Sequence, residues 1–461
     1  MAESLLHPAA AVILLLALIG MFVLARKRAS LPVLAVSLLL PLGQQINIGG
    51  LHFFVLRLVV LAGLVRILIS PKRLNGKRLA GGMNRVDYAF ITCILAQAIA
   101  PVLLFRDGQA FLYEVGYVWD WLGGYILFRW LIQDEEDAYR TLQYMAVLMA
   151  PVAIGMVIEQ LKMFNVFSIL GGLSAVPEVR DGKIRSQGVF DHSLMAGCFA
   201  APLIPLFLML WKNGKSKVLS GLGMILASVI MFCSNSSTPL LAYVAGIGAI
   251  FMWPLRKKMR TIRLGLASML IGLHLVMKAP VWFLIARIDL TGGSSSYHRA
   301  ELVDQFINHF SDWWLIGTNN NGDWGLDMWD VQNQYVNVGE TGGLLALIFF
   351  ILVISRCFGS IGDARKLIDG DLRKEWALWL LGCTLFATVV GFFGVNYFDQ
   401  VRMSWFVLLA MISALTTTAS NSQVKMAAET QAPAALWFGR GNVPWRLPNS
   451  RDASSHSHLT K

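Results

Sequence analysis

Thirteen apolar runs recur along the chain, at about 9–25, 31–42, 51–69, 86–104, 111–131, 140–161, 191–211, 218–233, 238–253, 263–286, 335–355, 376–395 and 402–419. Most approach the roughly 20 residues that a helix needs to cross a bilayer. In hydrocarbon every backbone N–H and C=O must be satisfied internally, so each run is expected to be a helix. Only 15% of the residues are charged, against about 25% in a soluble domain. The short alternating segments of a membrane β-barrel are not seen. The expected fold class is an all-α polytopic membrane protein with 12 to 14 transmembrane helices. The run 31–42 is short for a span. With 51–69 it reads as two tight helices or as one re-entrant pair.

Lys and Arg give the orientation. With Arg26, Lys27 and Arg28 inside, 28 of the 39 basic residues fall on the inner side or in the tail. The net charge of +11 therefore reads as inner-leaflet anchoring, not as a nucleic-acid footprint. The first run lacks a basic flank and a small-residue cleavage site, so it is kept as a span and not read as a signal peptide. Cys93, Cys198, Cys233, Cys357 and Cys383 lie in or beside apolar runs. No loop carries a pair of them, which implies neither a disulfide framework nor a metal site.

This threading divides the chain into N-terminal helices (1–139), a core (140–355), C-terminal helices (356–419) and a polar tail (420–461) expected to be disordered in the cytoplasm. Only two outer loops are long, about 162–190 and 287–334. The second lies between the tenth and eleventh runs. No internal repeat and no matched pair of broken helices appears, which weighs against a secondary transporter.

The first loop ends in "KIRSQGVFDHSLMAG", residues 183–197. Arg185 can bind phosphate through its fork. The following helix start adds N–H groups and a positive dipole. Gly188 permits a close backbone approach, and Gln187 adds hydrogen-bonding capacity. The alternative is that Arg185 snorkels to lipid headgroups. Asp191 is also a plausible N-cap. His192 is open to three readings: a base, a ligand for sugar hydroxyls, or a satisfied polar residue.

The second loop opens with "SSSYHRAELVDQFINHF". Leu302, Val303, Phe306, Ile307 and Phe310 form an apolar stripe at helical spacing, and Arg299 falls on it. An inward-facing Arg needs an anion: Asp289, Glu301, Asp304 or a ligand phosphate. Trp313, Trp314, Trp324 and Trp329 read as sugar platforms or as an interfacial belt. Gln332, Asn333, Tyr335 and Glu340 recur at helical spacing, within reach of a common cavity. Elsewhere, Arg57, Arg66, Glu114, Asp120 and Glu159 lie in or near spans and read as structural pairs.

These segments, in this order, resemble the O-antigen ligase and polymerase superfamily of bacterial glycan assembly. "GGLSAVPEVRDGKIRSQGVFDHSLMAG" resembles its Arg-to-helix motif. "SSYHRAELVDQFINHFSDWWLIGTNNNG" followed by "QNQYVNVGETGG" resembles its large periplasmic loop and next helix. "IEQLKMFNVFSILGG" resembles the exopolysaccharide-type members. The resemblance implies a GT-C-like fold and a metal-independent glycosyltransferase without cofactor, at the periplasmic face of the bacterial inner membrane. Its donor would be an undecaprenyl-pyrophosphate-linked oligosaccharide. Its partners would be membrane lipid and other assembly proteins such as a flippase or a chain-length regulator. Arg185 and Arg299 would hold the pyrophosphate leaving group, with Gln332 and His192 beside them in the catalytic set. Gln187, Gly188, Asp191, His298, Asn333, Tyr335 and Glu340 would bind substrate. Ligases typically carry His where this chain has Gln332, and Gln accepts no proton. The base is then left among His192, His298, Asp191 and Glu340, or positioning suffices. That difference favours a repeat-unit polymerase over a ligase that transfers glycan to lipid A core or protein. A flippase and an accessory scaffold are the rivals from other classes.

Overall fold

The computed structural model describes residues 6–49, 51–70, 78–213, 216–287, 296–368, 370–398 and 400–437. Each apolar run contains a helix. The elements are α1 (Pro8–Val23), α2 (Ser30–Leu39), β1 (Gln45–Ile48), β2 (Leu51–Phe54), α3 (Val55–Ile69), α4 (Arg85–Phe105), α5 (Gly108–Val118), α6 (Gly124–Leu131) and α7 (Glu135–Lys162). There follow β3 (Glu178–Arg180), β4 (Lys183–Arg185), α8 (Ser193–Ala200), α9 (Leu203–Asn213), α10 (Lys217–Cys233), α11 (Ser237–Phe251), α12 (Met259–Val276), α13 (Ser296–Asn308), α14 (Phe310–Trp313), α15 (Gln334–Leu367), α16 (Leu372–Gly391) and α17 (Val401–Trp437). Among the described residues, six helical segments are long and apolar enough to cross a membrane: Arg85–Phe105, Glu135–Lys162, Ser193–Lys212, Trp253–Val276, Gln334–Leu367 and Val401–Ala419. The chain is thus a mostly helical protein with the helices of a membrane protein.

The short second run is α2, ten residues long, or about 15 Å of helix, half of a bilayer core. An antiparallel hairpin, β1–β2, separates it from α3. The segment 420–461 forms a unit of its own. The α17 backbone is helical through Trp437, within the segment 420–461 expected as a disordered tail. Residues 438–461 of that expected tail lie outside the described residues.

Local chemistry explains where the long helices begin. The Asn84 side chain accepts from the N–H groups of Val86 and Asp87, while Asp87 accepts from Asn84 N–H. This capping box starts α4. At the start of α7 the Asp134 side chain accepts from Asp137 N–H. In the body α4 packs along α15, α7 along α10, and α11 against α16. Their shared core includes Phe128, Met149, Phe190, Phe207, Phe392 and Phe406.

Charged residues inside the body are mostly paired, as burial requires. Arg129 is fully buried and bonds both oxygens of Asp87, at 2.8 and 3.0 Å, with Tyr125 donating to the same carboxylate. Arg57 grips Asp120 through Nε and Nη2, at 2.9 and 2.7 Å, so Asp120 neutralises it where the sequence offered Glu114 as well. Arg66 donates to the carbonyls of Met21 and Leu24.

α15 is not continuous. Gly343 has φ 73° and ψ −177°, a conformation that belongs to glycine. The α14–α15 connection fills the break: Leu344 N–H donates to Trp314 O at 2.8 Å, and Thr318 N–H to Glu340 O at 2.7 Å.

Candidate functional site

The first loop is built on a hairpin that the sequence reading left unassigned. Asp181 and Gly182 both have positive φ, 51° and 71°, as a two-residue Asp-Gly turn requires. The turn sets the register Glu178↔Arg185. It thereby delivers a carboxylate to the first candidate arginine. Arg185 Nη1 donates to Glu178 Oε2 at 2.8 Å, and Nη2 donates to Ser236 Oγ at 2.8 Å. Its Nε is buried and makes no hydrogen bond. Glu178 also takes Arg180 at 2.9 Å and faces His192 Nε2 at 3.6 Å.

Residues 186–190 then lie against the C-terminal end of α7. Glu159, fully buried, accepts Gln187 N–H at 3.1 Å and Gly188 N–H at 2.9 Å. Asn165 Nδ2 donates to Gly188 O at 2.9 Å. Gly188 has φ +61°, and an added Cβ would stand 2.8 Å from Met156 Cγ. Its close backbone approach is therefore to α7. The α8 N-cap is His192, whose Nδ1 accepts from Leu194 N–H at 3.1 Å. Asp191, the N-cap offered by the sequence, is exposed one residue earlier. With Nδ1 committed to an amide, the neutral His192 ring carries its proton on Nε2, towards Glu178.

The second loop supplies Arg299 from α13. It is 8% exposed, on a face with Leu302 and Phe306, whereas Ile307 and Phe310 of the expected stripe are exposed. Its Nη2 donates to Gln332 Oε1 at 3.3 Å, and its Nε is buried without a hydrogen bond. Gln332 Nε2 donates in turn to Asp330. The amide thus holds Arg299 on one side and Asp330 on the other. Neither Glu301 nor Asp304 pairs with Arg299; Asp304 bonds Trp282 and Asn308 instead. Asp289 lies outside the described residues. His298 Nε2 meets Asp330 O at 3.2 Å. A carbonyl only accepts, so this nitrogen donates and Nδ1 keeps its lone pair.

Three arginines are buried among the described residues: Arg129, Arg185 and Arg299. The first two have carboxylate partners. Among the described residues Arg299 has none within ion-pair distance. Burial lowers its pKa, and repulsion from Arg185 and Arg180 adds to this. Arg185 is lowered by burial as well, with Glu178 opposing. For Glu178, burial acts to raise the pKa, but Arg185, Arg180 and His192 outweigh it and the value falls below the usual carboxylate range. His192 is lowered by partial burial and by Arg185.

Beside Arg299 is a cavity of about 200 Å³, lined by Ser237, Thr238, Leu241, Ser296, Arg299 and Gly394 among others. It sits on the first turn of α11, next to Ser236, the partner of Arg185. An apolar groove of about 530 Å³ runs between α9, α10 and α11, lined by residues including Ile204, Met224, Val229, Phe232, Cys233 and Tyr243. At its Cys233 end the carbonyl accepts from Ser186 N–H at 3.0 Å, one residue from Arg185.

The remaining sequence candidates are placed elsewhere. Asn333 caps α15, accepting from Tyr335 and Val336 N–H. Tyr335 packs on Phe393 with ring centroids 4.7 Å apart and donates to Val389 O. Glu340 accepts from Asn321, at 3.3 Å to each oxygen, under the α14–α15 connection. Trp313 and Trp324 are buried in a small satellite core with Phe306, while Trp314 and Trp329 are exposed. Glu178, Ser236 and Thr238 were missed. The Asp-Gly turn between alternating residues was a legible signal for Glu178. Ser before Ser-Thr-Pro was one for the α11 start.

No protein-family model matches the sequence, and no curated protein matches it.

Proposed function

We propose that the protein is a polysaccharide polymerase of the bacterial inner membrane, of the O-antigen ligase and polymerase superfamily with a GT-C-like fold. On this reading it joins repeat units carried on undecaprenyl pyrophosphate at the periplasmic face. The observation that supports the proposal is the pair of buried arginines from the two long loops, one of them without a carboxylate partner among the described residues. A buried guanidinium in that state is a standing demand for an anion. The apolar groove that begins one residue from Arg185 suits the prenyl chain of such a donor.

In the reaction, the hydroxyl of one unit attacks the anomeric carbon of another. The C–O bond to pyrophosphate breaks, and the leaving group departs with the electron pair. Arg185 and Arg299 stabilise the charge that develops there, in a site where little water competes. Gln332 orients Arg299. The acceptor proton goes to His298, whose Nδ1 makes no hydrogen bond among the described residues, or to the exposed Asp191, whereas the Nδ1 of His192 is taken and Glu340 accepts from Asn321. A flippase and a chain-length regulator would work alongside it.

The test is mass spectrometry of lipid-linked glycans in cells with the wild-type protein, a deletion, or Arg185→Ala. Single repeats accumulating on undecaprenyl pyrophosphate in both mutants is the expected result. Long lipid-linked chains beside bare acceptor would make the protein a ligase. Unchanged lipid-linked glycans in the deletion would overturn the reading.

A further inference from the structure

A second concentration of charge lies where α11 ends, α12 begins and α15 turns into α16, on the side that Lys and Arg place inside. No Asp or Glu occurs between Asp191 and Asp289, yet five of the eight residues 256–263 are basic. Their carboxylate comes from α16. Arg256 Nε and Arg365 Nη2 both donate to Glu375 Oε1, at 3.0 and 2.9 Å. Two guanidiniums on one buried carboxylate leave the cluster with positive charge to spare. Arg256 lies over Trp253, 4.0 Å from the ring centroid, and Arg365 over Trp379 at 5.0 Å. Trp376 meets Trp253 edge-on, with centroids 4.7 Å apart. Indole groups at the end of a span belong at the headgroup level of a bilayer. At the same level Lys257, Lys258, Arg260 and Arg263 are exposed. Cations at the start of a helix oppose its dipole, so the stability of α12 does not account for them. α12 itself buries none of its 18 residues. Leu264, Leu266, Met269 and Ile271 fall on different sides of it, and all are exposed. A helix that is apolar all round is enclosed by protein or by lipid, and here protein does not enclose it.

We infer that the foot of α12 is a discrete binding site for an anionic glycerophospholipid of the inner leaflet. The headgroup phosphate meets Lys258, Arg260 and Arg263, and the acyl chains lie along the uncovered helix. Clusters of about four to eight Lys and Arg at the inner end of a span attract anionic lipid, and here the segment that carries them has no acid of its own. The Arg256–Glu375–Arg365 cluster and its indoles hold the turn Trp253–Lys258 to α16, which fixes the exposed cations at headgroup height. The site differs from the general excess of inner positive charge in being local: removing the same charge elsewhere on the inner side leaves it intact. The inference does not depend on the proposed reaction.

The test compares two triple variants that remove the same charge. One carries Lys258→Gln, Arg260→Gln and Arg263→Gln. The other carries Arg28→Gln, Lys212→Gln and Lys217→Gln, exposed residues of other inner segments. Phosphatidylglycerol and, separately, phosphatidylcholine are titrated into the full-length protein in detergent, and retained lipid is counted by native mass spectrometry. Wild type and the second variant should retain phosphatidylglycerol in preference to phosphatidylcholine. The first variant should lose affinity for phosphatidylglycerol by about tenfold or more, given the contribution of each basic residue near an anionic surface. Equal retention of the two lipids by the wild type would overturn the site, and equal losses in the two variants would reduce it to the general inner charge. Unchanged retention in the first variant would also overturn it, and would leave the basic foot to an acidic segment of a protein partner. Should the first variant aggregate, the wild type alone decides: retention of phosphatidylglycerol should weaken as salt is added, because exposed charges are screened, and retention that ignores salt would refute a headgroup held by these cations.

Discussion

Glu159→Gln tests whether the first loop is positioned as described. Glu159 is fully buried near the C-terminal end of α7, and each of its oxygens receives a different backbone N–H, from Gln187 at 3.1 Å and from Gly188 at 2.9 Å. Gln is nearly the same shape but replaces one acceptor with an NH2 donor. Flipping the amide only changes which backbone N–H faces it. Two buried donors are then left without a partner, each costing about 1–3 kcal/mol. The total is on the order of 3 kcal/mol, unless residues 186–190 lift away from α7. Lifting is opposed by Ser186 Oγ, which donates to Met156 O at 3.1 Å, and by Asn165 on Gly188 O. Arg185 is two residues from Gln187, so either response displaces it. The expected outcome is a lower melting temperature together with weaker pyrophosphate binding by calorimetry. Glu159→Asp keeps both acceptors on a shorter arm and should fall between. A Glu159→Gln protein that melts and binds like wild type would refute the claim that this carboxylate sets the loop.

The Glu178 carboxylate is held below its ordinary pKa by Arg185, Arg180 and His192 against the effect of burial. Its contribution to stability is therefore fully present above the unfolded-state value of about 4.3 and is lost as pH falls through the lower folded value. Melting temperatures of wild type and Glu178→Gln should accordingly differ at pH 6, and the gap should begin to shrink as pH falls below about 4.3; a gap that widens on acidification would contradict the assignment. Gly343→Ala places a Cβ 2.7 Å from Leu315 O at a φ of +73°, and backbone strain of about 1–3 kcal/mol adds to that clash. It should lower the melting temperature and expose the α14–α15 connection to protease, and an unchanged digestion pattern would show that the break tolerates a side chain.

The helices were legible because membrane segments announce themselves by length and apolarity, which burial in lipid demands irrespective of tertiary packing. What periodicity could not convey is where a helix stops being regular. α2 ends after ten residues, and α15 breaks at Gly343 because loop carbonyls and amides fill the gap, a long-range fact. In the site, Arg185 and Arg299 were visible as charges out of keeping with their surroundings. Asn333 and Tyr335 shared their helical spacing but serve the helix itself, as a cap and a packed ring. Spacing alone does not separate a residue that faces a cavity from one that closes the helix end. Glu178 was missed for the opposite reason: its partner lies seven residues away across a turn, which linear reading of the helix-start motif passes over.

The treatment of arginine across the molecule gives the strongest argument about the site. The half-buried Arg66 meets backbone carbonyls, whereas other arginines inside the body meet carboxylates. Arg129 has both oxygens of Asp87, and Arg57 has Asp120. Arg185 is already different, because its carboxylate partner is shared with Arg180 and is itself more than a third exposed. Arg299 completes the gradient with an amide in place of a carboxylate. An amide oxygen orients a guanidinium but brings no countercharge, and Gln332 spends its other end on Asp330, which keeps that carboxylate at one remove. The arrangement fixes the direction of the cation while leaving its charge uncompensated. A purely structural arginine gains nothing from such a geometry and pays the desolvation cost in full. An anion that met Arg299 would recover the missing interaction.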